Sequence, residues 1–471
     1  VSIPDATLHL PLAELAERVR ARELDPVELA EAYMDRLQRF GPDLGALVTL
    51  TRERALAEAR QARDEIAAGR YRGPLHGIPY GAKDLIGAEG YPTSWGAQPY
   101  RDQRLPDAAV VEKLRAAGAV LVAKLSSVEL AGGFGYEQAN ASFTGPGRTP
   151  WNRDYWSGGS SSGPGSAVGA ALVPFAIGSE TWGSIFAPAA LSGVTGLRPT
   201  YGRVSRWGAM ALSWTMDKIG PLCHTAEDCG LVLQAIAGAD PRDESARDRP
   251  YRHAADAALP RRPRIGVLKG NAAGSQAEVR RNFEASLALV GQFADLVPDV
   301  ELPDYPYGAA AIMIIESEAA SIFEELVSSG RVAELTAPED RIGGYSGQVA
   351  LAKDYLRAMR IRRPAGEALD RLFVEGGFDA LVHPTWSTVS YPVGVPFDSA
   401  YTDLTGDGEG ISGATNLVGL PGIALPNGFG RENLPTSIAF TGRAWTEGRL
   451  IAIARELQRR TDWHRRIPPG Y

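Results

Sequence analysis

The chain has 471 residues, 44% hydrophobic and 22% charged, with no long polar or single-residue tract, so it can bury a substantial core. Its formal net charge of −7 and pI near 5.6 argue against a nucleic-acid partner, which needs a basic stripe. Two cysteines, Cys223 and Cys229, cannot staple a chain of this size; no His/Cys cluster has metal-ligand spacing, and no apolar run reaches the ~18 residues of a membrane span.

Residues 11–40 read as helical, because Leu12, Leu15, Val19 and then Val27, Leu29, Ala30, Tyr33 and Leu37 recur at helical spacing. Asp25-Pro26 has the form of an N-cap followed by proline at the first helical position. A second helix over about 52–68 ends at Gly69. Residues 78–82 form a short apolar run and predict a strand, 107–117 an amphipathic helix closed by Gly118, and 119–123 another strand. Buried strands are also expected at 172–177, 264–268, 380–382 and 423–425. The polar stretch 240–262 reads as a long surface crossing. Strands alternating with helices predict an α/β fold, a large mixed, mostly parallel-type sheet covered by helices on both faces. There is no internal repeat, and one domain over 1–471 is expected, with 250–410 as a variable region around the pocket.

Much of the glycine excess lies between Gly132 and Gly220. Ser157-Gly158-Gly159-Ser160-Ser161-Ser162-Gly163-Pro164-Gly165-Ser166 is the most unusual segment. A flexible linker fits poorly, since small-residue helical sequence, 167–173, follows at once. A phosphate-cradling loop lacks its closing Lys-Ser/Thr. Gly159-Ser160-Ser161-Ser162-Gly163 formally matches a nucleophile elbow, with His383 and His464 as available bases, but 149–156 reads as loop where an elbow needs a strand.

A second glycine-serine site follows, Gly178-Ser179-Glu180-Thr181-Trp182-Gly183-Ser184-Ile185. Together with Leu75-His76-Gly77-Ile78-Pro79-Tyr80-Gly81-Ala82-Lys83-Asp84, the motifs through Asp217-Lys218-Ile219-Gly220-Pro221, and Asn416-Leu417-Val418-Gly419-Leu420-Pro421-Gly422, this pattern resembles the amidase signature family. The resemblance is strongest over 70–240 and thinner from 250 to 410. It implies a Ser-Ser-Lys triad on a mixed sheet surrounded by helices: Ser184 as nucleophile, Ser160 after a cis peptide as the bridge, and Lys83 as base. The implied oxyanion hole is the backbone N–H groups of Thr181, Trp182, Gly183 and Ser184. The chemistry is consistent. A serine hydroxyl needs a base, and a lysine serves if burial keeps it neutral. The alternative for Lys83 is a structural lysine paired with Asp84.

Two positions depart from the family pattern. Trp182 replaces a glycine beside the nucleophile, and Phe186 replaces an arginine two residues after it. Trp182 either packs aside and leaves its N–H free, or closes the oxyanion hole. Losing a charge and gaining two aromatic faces predicts an apolar acyl pocket, suited to aryl or alkyl groups, which Trp386 and Tyr391 are candidates to line. The expected function is hydrolysis of amide C–N bonds, with carbamates and aryl esters as further substrates. The alternatives are the glutaminase subunit of a tRNA-dependent amidotransferase, which Tyr201-Gly202-Arg203-Val204-Ser205-Arg206 resembles, and a non-catalytic binding protein. We expect no metal, no cofactor, no nucleic-acid or membrane partner, and a small-molecule amide, carbamate or ester as ligand. The helix-like run 309–326 is open as pocket wall, lid or homodimer contact. The cytoplasm is the default compartment; Val1 stands where an initiator Met would, so N-terminal processing is left open.

Overall fold

The computed structural model describes residues 3–254, 259, 261–270, 272–403 and 410–471. Their apolar runs pair into an eleven-stranded sheet: β1 (Leu47–Leu50), β2 (Pro79–Lys83), β3 (Val120–Leu125), β4 (Phe175–Glu180), β5 (Thr195–Arg198), β6 (Lys218–Cys223), β7 (Arg264–Leu268), β8 (Asp295–Val300), β9 (Ala380–Pro384), β10 (Gly422–Phe429) and β11 (Pro435–Thr441). The spatial order is β1-β3-β2-β4-β6-β5-β10-β11-β9-β7-β8. The sheet is mixed, as expected, but not mostly parallel, since six of its ten ladders are antiparallel. Parallel ladders lie on the flanks, β3-β2-β4 and β9-β7-β8, while the centre from β4 through β6, β5, β10 and β11 to β9 is antiparallel. The short link from Phe429 to Pro435 needs no crossover helix, which is why β10 and β11 pair antiparallel.

Side-chain size differs between the two faces. Phe175 and Ile177 of β4, Ile423 and Leu425 of β10, and Ile438 and Phe440 of β11 pack into one core. The alternate positions, Ala176, Ala424 and Ala439, face the other. A strand sends successive side chains to opposite faces, so this alternation gives one face bulk and the other room. The helices Ser162–Gly169 and Phe186–Ser192 take that room and lie close over the sheet centre.

Some elements differ from the sequence expectation. The 11–40 run is two helices, Leu12–Arg20 and Pro26–Phe40. Arg22 in the left-handed region breaks them apart, and the Asp25 carboxylate accepts from Val27 N at 2.7 Å to start the second. The small-residue helix begins at Ser162 rather than 167, despite its glycines. A Cβ at Gly163 would stand 2.4 Å from Ser126 N, and one at Gly165 2.8 Å from the Pro188 side chain. Close packing thus demands the glycines and overrides their poor helix propensity. The run 309–326 resolves into helices Tyr307–Ile322 and Glu324–Ser328, and part of 240–262 lies outside the described residues.

Candidate active site

Lys83 is the last residue of β2, which is buried along its whole length between β3 and β4. Its Nζ donates to Ser160 Oγ at 2.7 Å and to Ser179 Oγ at 3.1 Å. Burial pushes its pKa down to about 7, and the Asp217 and Glu180 carboxylates only partly oppose that. Asp84 is not its partner. Asp84 pairs with Lys124 Nζ at 2.8 Å and accepts from Ser94 N, so the structural-lysine alternative loses its counter-ion.

Ser160 follows Gly158, at φ 86°, and a cis Gly159-Ser160 peptide. A Cβ at Gly158 would lie 2.7 Å from the Ala187 carbonyl, so glycine alone brings this loop against the helix Phe186–Ser192. Ser160 sits two residues before the helix Ser162–Gly169.

Ser184 lies on the tight loop that joins β4 to the helix Phe186–Ser192. Charged groups buried beneath the loop hold its shape. Glu180 accepts from Ile185 N at 2.8 Å and Phe186 N at 3.0 Å, and pairs with Arg198 at 2.8 Å. Thr181 Oγ1 donates to Asp217 at 2.5 Å, while Lys218 Nζ reaches Thr181 O at 3.1 Å and Asn416 Oδ1 at 2.8 Å. The N–H groups of Trp182, Gly183 and Ser184 meet no protein acceptor among the described residues. The Ser184 hydroxyl likewise makes no hydrogen bond among them, to Ser160 included; the main chain links the two serine loops, Ser161 N donating to Ser184 O at 3.3 Å. Proton-relay contacts of this kind often tighten only when substrate is bound.

Ser184, Gly183, Trp182 and Thr181 line a cavity of about 780 Å³. Phe186, Trp386 and Tyr391 line it too. A Cβ at Gly183 would meet the Trp386 ring at 3.7 Å, and Trp386 Nε1 donates to Tyr391 OH at 3.3 Å. Phe186 lies under the Arg198 guanidinium, 4.7 Å from ring to cation, and against the bare backbone of Gly422. Arg198 is already engaged: besides Glu180 it donates to Leu420 O at 3.0 Å and Thr415 Oγ1 at 3.1 Å. The Trp182 indole is half-buried in the apolar cluster of the helices Tyr307–Ile322 and Gly410–Leu417, with its ring beside Gly308 and Gly413.

The elbow reading finds no such geometry. Bend rather than strand precedes Ser161, whose hydroxyl donates to Ser179 O at 3.2 Å. His383 does line the cavity, but burial pushes it down to about 4, and its ring nitrogens sit 2.8 Å from Pro384 O and 3.1 Å from Thr441 Oγ1. Sequence reasoning missed Ser179, Glu180, Arg198, Asp217, Lys218 and Asn416 as supports. All but Arg198 stand inside the quoted motifs, but only folding makes the six neighbours. Among the described residues no cluster of His, Cys, Asp or Glu could hold a metal ion, and no helix is long and apolar enough to cross a membrane.

Over 487 residues the chain is 37% identical to the A subunit of the glutamyl-tRNA(Gln) amidotransferase of Methylococcus capsulatus, covering 98% of both chains. The native peptide amidase from Stenotrophomonas maltophilia superposes with TM-score 0.82 at 31% identity, over 98% of each chain. A structure described as a vestigial protein complex, revealing the origins of an s-triazine catabolic enzyme, superposes with TM-score 0.85 at 28% identity, over 96% of this chain and 98% of that one. The sequence model of the family Amidase matches residues 28–451, and the chain therefore belongs to the amidase family.

Proposed function

We propose that the chain hydrolyses amide C–N bonds through an acyl-enzyme on Ser184. The observation that carries this reading is the fully buried Lys83, whose Nζ lies 2.7 Å from Ser160 Oγ with its pKa lowered to about 7. A lysine so placed is a base at neutral pH, where an ordinary one is an acid. Ser184 Oγ adds to the carbonyl carbon; its proton passes to Ser160 Oγ as the Ser160 proton passes to Lys83 Nζ. The new oxyanion meets the N–H groups of the Thr181–Ser184 segment, which Glu180, Asp217 and Lys218 hold in place. On collapse the C–N bond breaks, Ser160 returns the proton to the leaving nitrogen, and the acyl group stays on Ser184 until water repeats the sequence. The Trp182 indole packs beside Gly308 and Gly413 while the Trp182 N–H meets no protein acceptor among the described residues, which supports catalysis over a purely binding role.

The acyl pocket is aromatic, built on Phe186, Trp386 and Tyr391, and takes aryl or alkyl groups. Arg198 is the one guanidinium among the described lining residues, and Glu180, Thr415 and Leu420 already occupy its nitrogens. That leaves no free cation there for the carboxylate of an amino acid. Carbamates and aryl esters share the same trigonal carbonyl and are proposed as further substrates. A second reading has a specific observation behind it. The amidotransferase A subunit of M. capsulatus matches this chain over 98% of each, which supports an amidotransferase subunit, with glutamine as its amide, over a stand-alone enzyme. In that reading the chain works with partner subunits in the cytoplasm. Purified chain offered glutamine and a set of anilides, with a fluorophosphonate mass label on Ser184, separates the two. Anilide turnover with weak glutamine hydrolysis supports the first, and glutamine hydrolysis that rises on adding partner subunits supports the second.

A further inference from the structure

Trp182 stands beside Ser184 where small residues on two other elements have made space for it. A Cβ added at Gly413 would lie 3.4 Å from the indole, and one at Gly308 3.7 Å from it. Gly308 is the second residue of the helix Tyr307–Ile322, and Gly413 lies in the helix Gly410–Leu417. The two backbones nearly touch there, since the same Gly413 Cβ would be 3.4 Å from Gly308 N. The indole therefore fills the cleft at the crossing of these helices and forms the cavity wall on that side. Behind it the cluster continues through Tyr307, Ala310, Ala311, Ala414 and Leu417, all apolar and mostly small. Nothing polar anchors the ring: no hydrogen bond from Trp182 Nε1 occurs among the described residues. Shape alone holds it.

We propose that Trp182 is a specificity-determining residue, a plug that sets the upper size of the amide substituent reaching toward the helices Tyr307–Ile322 and Gly410–Leu417. Taking the indole away leaves an apolar space on the order of 150 Å³, a size that accepts a benzene ring. The substrate class is therefore amides whose substituent on this side stops short of an added aryl ring or long branch. The inference rests on the hydrolase reading of Ser184.

The test uses two anilide series on the full chain. One lengthens the acyl group from acetyl to biphenylcarbonyl with aniline fixed; the other enlarges the amine with acetyl fixed. Trp182→Gly is compared with the native chain, and Trp182→Phe and Trp182→Leu stand in if the glycine variant fails to fold. Each is checked for fluorophosphonate labelling of Ser184. We expect the bulkiest-to-smallest ratio of kcat/KM to rise about tenfold or more in one series for Trp182→Gly, with a smaller rise for the two fallback variants, since a pocket gains about 10- to 200-fold per well-placed methylene. A ratio unchanged within about twofold in both series, with Ser184 still labelled, would overturn the plug. No label and no turnover in the native chain would instead overturn the hydrolase reading.

Discussion

Lys83→Met keeps the apolar stem of the side chain and removes its amine, so it probes the proton relay with little change in packing. At pH 8 an ordinary lysine, with a pKa of about 10.5, is neutral in about one molecule in 300. With its pKa lowered to about 7, Lys83 is neutral in about nine molecules in ten at that pH. The site thus gains about 300-fold in available base before any positioning is counted. The assay is hydrolysis of a reactive anilide from pH 5.5 to 9.5. For the native chain kcat/KM should rise with pH through a midpoint near 7, as Lys83 loses its proton. Lys83→Met should lose about 10²- to 10⁴-fold and, with it, that inflection. Folding stability supplies a second readout with a definite sign. Between about 7 and 10.5 the unfolded lysine holds a proton that the folded one has released, so stability rises with pH across that window and Lys83→Met flattens the rise. A variant within about threefold of native turnover, or a native profile flat from pH 6 to 8, would refute the reasoning.

Ser184→Ala should abolish fluorophosphonate labelling and turnover while leaving the melting curve in place; label on another serine would move the nucleophile. Gly158→Ala forces a side chain into a left-handed backbone 2.7 Å from Ala187, and should cost about 1–3 kcal/mol and most activity, read by denaturant unfolding and anilide turnover together. Arg198→Met leaves the buried Glu180 without its counter-ion, so a loss of about 3–5 kcal/mol is expected, and near-native stability would remove Glu180 as the support of the Ser184 loop. Burial and the neighbouring Glu129 push the Asp340 carboxyl up to about 9, so the folded chain keeps a proton that the unfolded chain releases above about 4. Stability from this group falls as pH rises from about 4 to 9; Asp340→Asn should flatten that fall and gain about 1–3 kcal/mol at pH 8, measured by chemical denaturation across pH.

The residues read from the sequence were those whose signal is local. The runs at 119–123 and 423–425 announce buried strands because each is continuously apolar, and Asp25-Pro26 announces a helix start through its own capping chemistry. The serine and lysine motifs were legible because their contiguous residues resemble the amidase signature family. β1, β5, β6, β8 and β11 were not identified. β6, with its internal glycine and proline, carries no strong period, and its pairing with β4 is what orders it. Only the tertiary structure decided that Asp84 is spent on Lys124, that Glu180 and Arg198 lie beneath the Ser184 loop, and that Trp182 turns toward Gly308 and Gly413. Each of these contacts joins residues brought together by packing, and sequence adjacency carries no information about which charge meets which or where a large ring finds room. Through its resemblance to the amidase signature family, the sequence offered Lys83, Ser160 and Ser184 as a candidate triad. The fold buried Lys83 against Ser160, and that burial is what lowers the pKa of its amine toward neutrality.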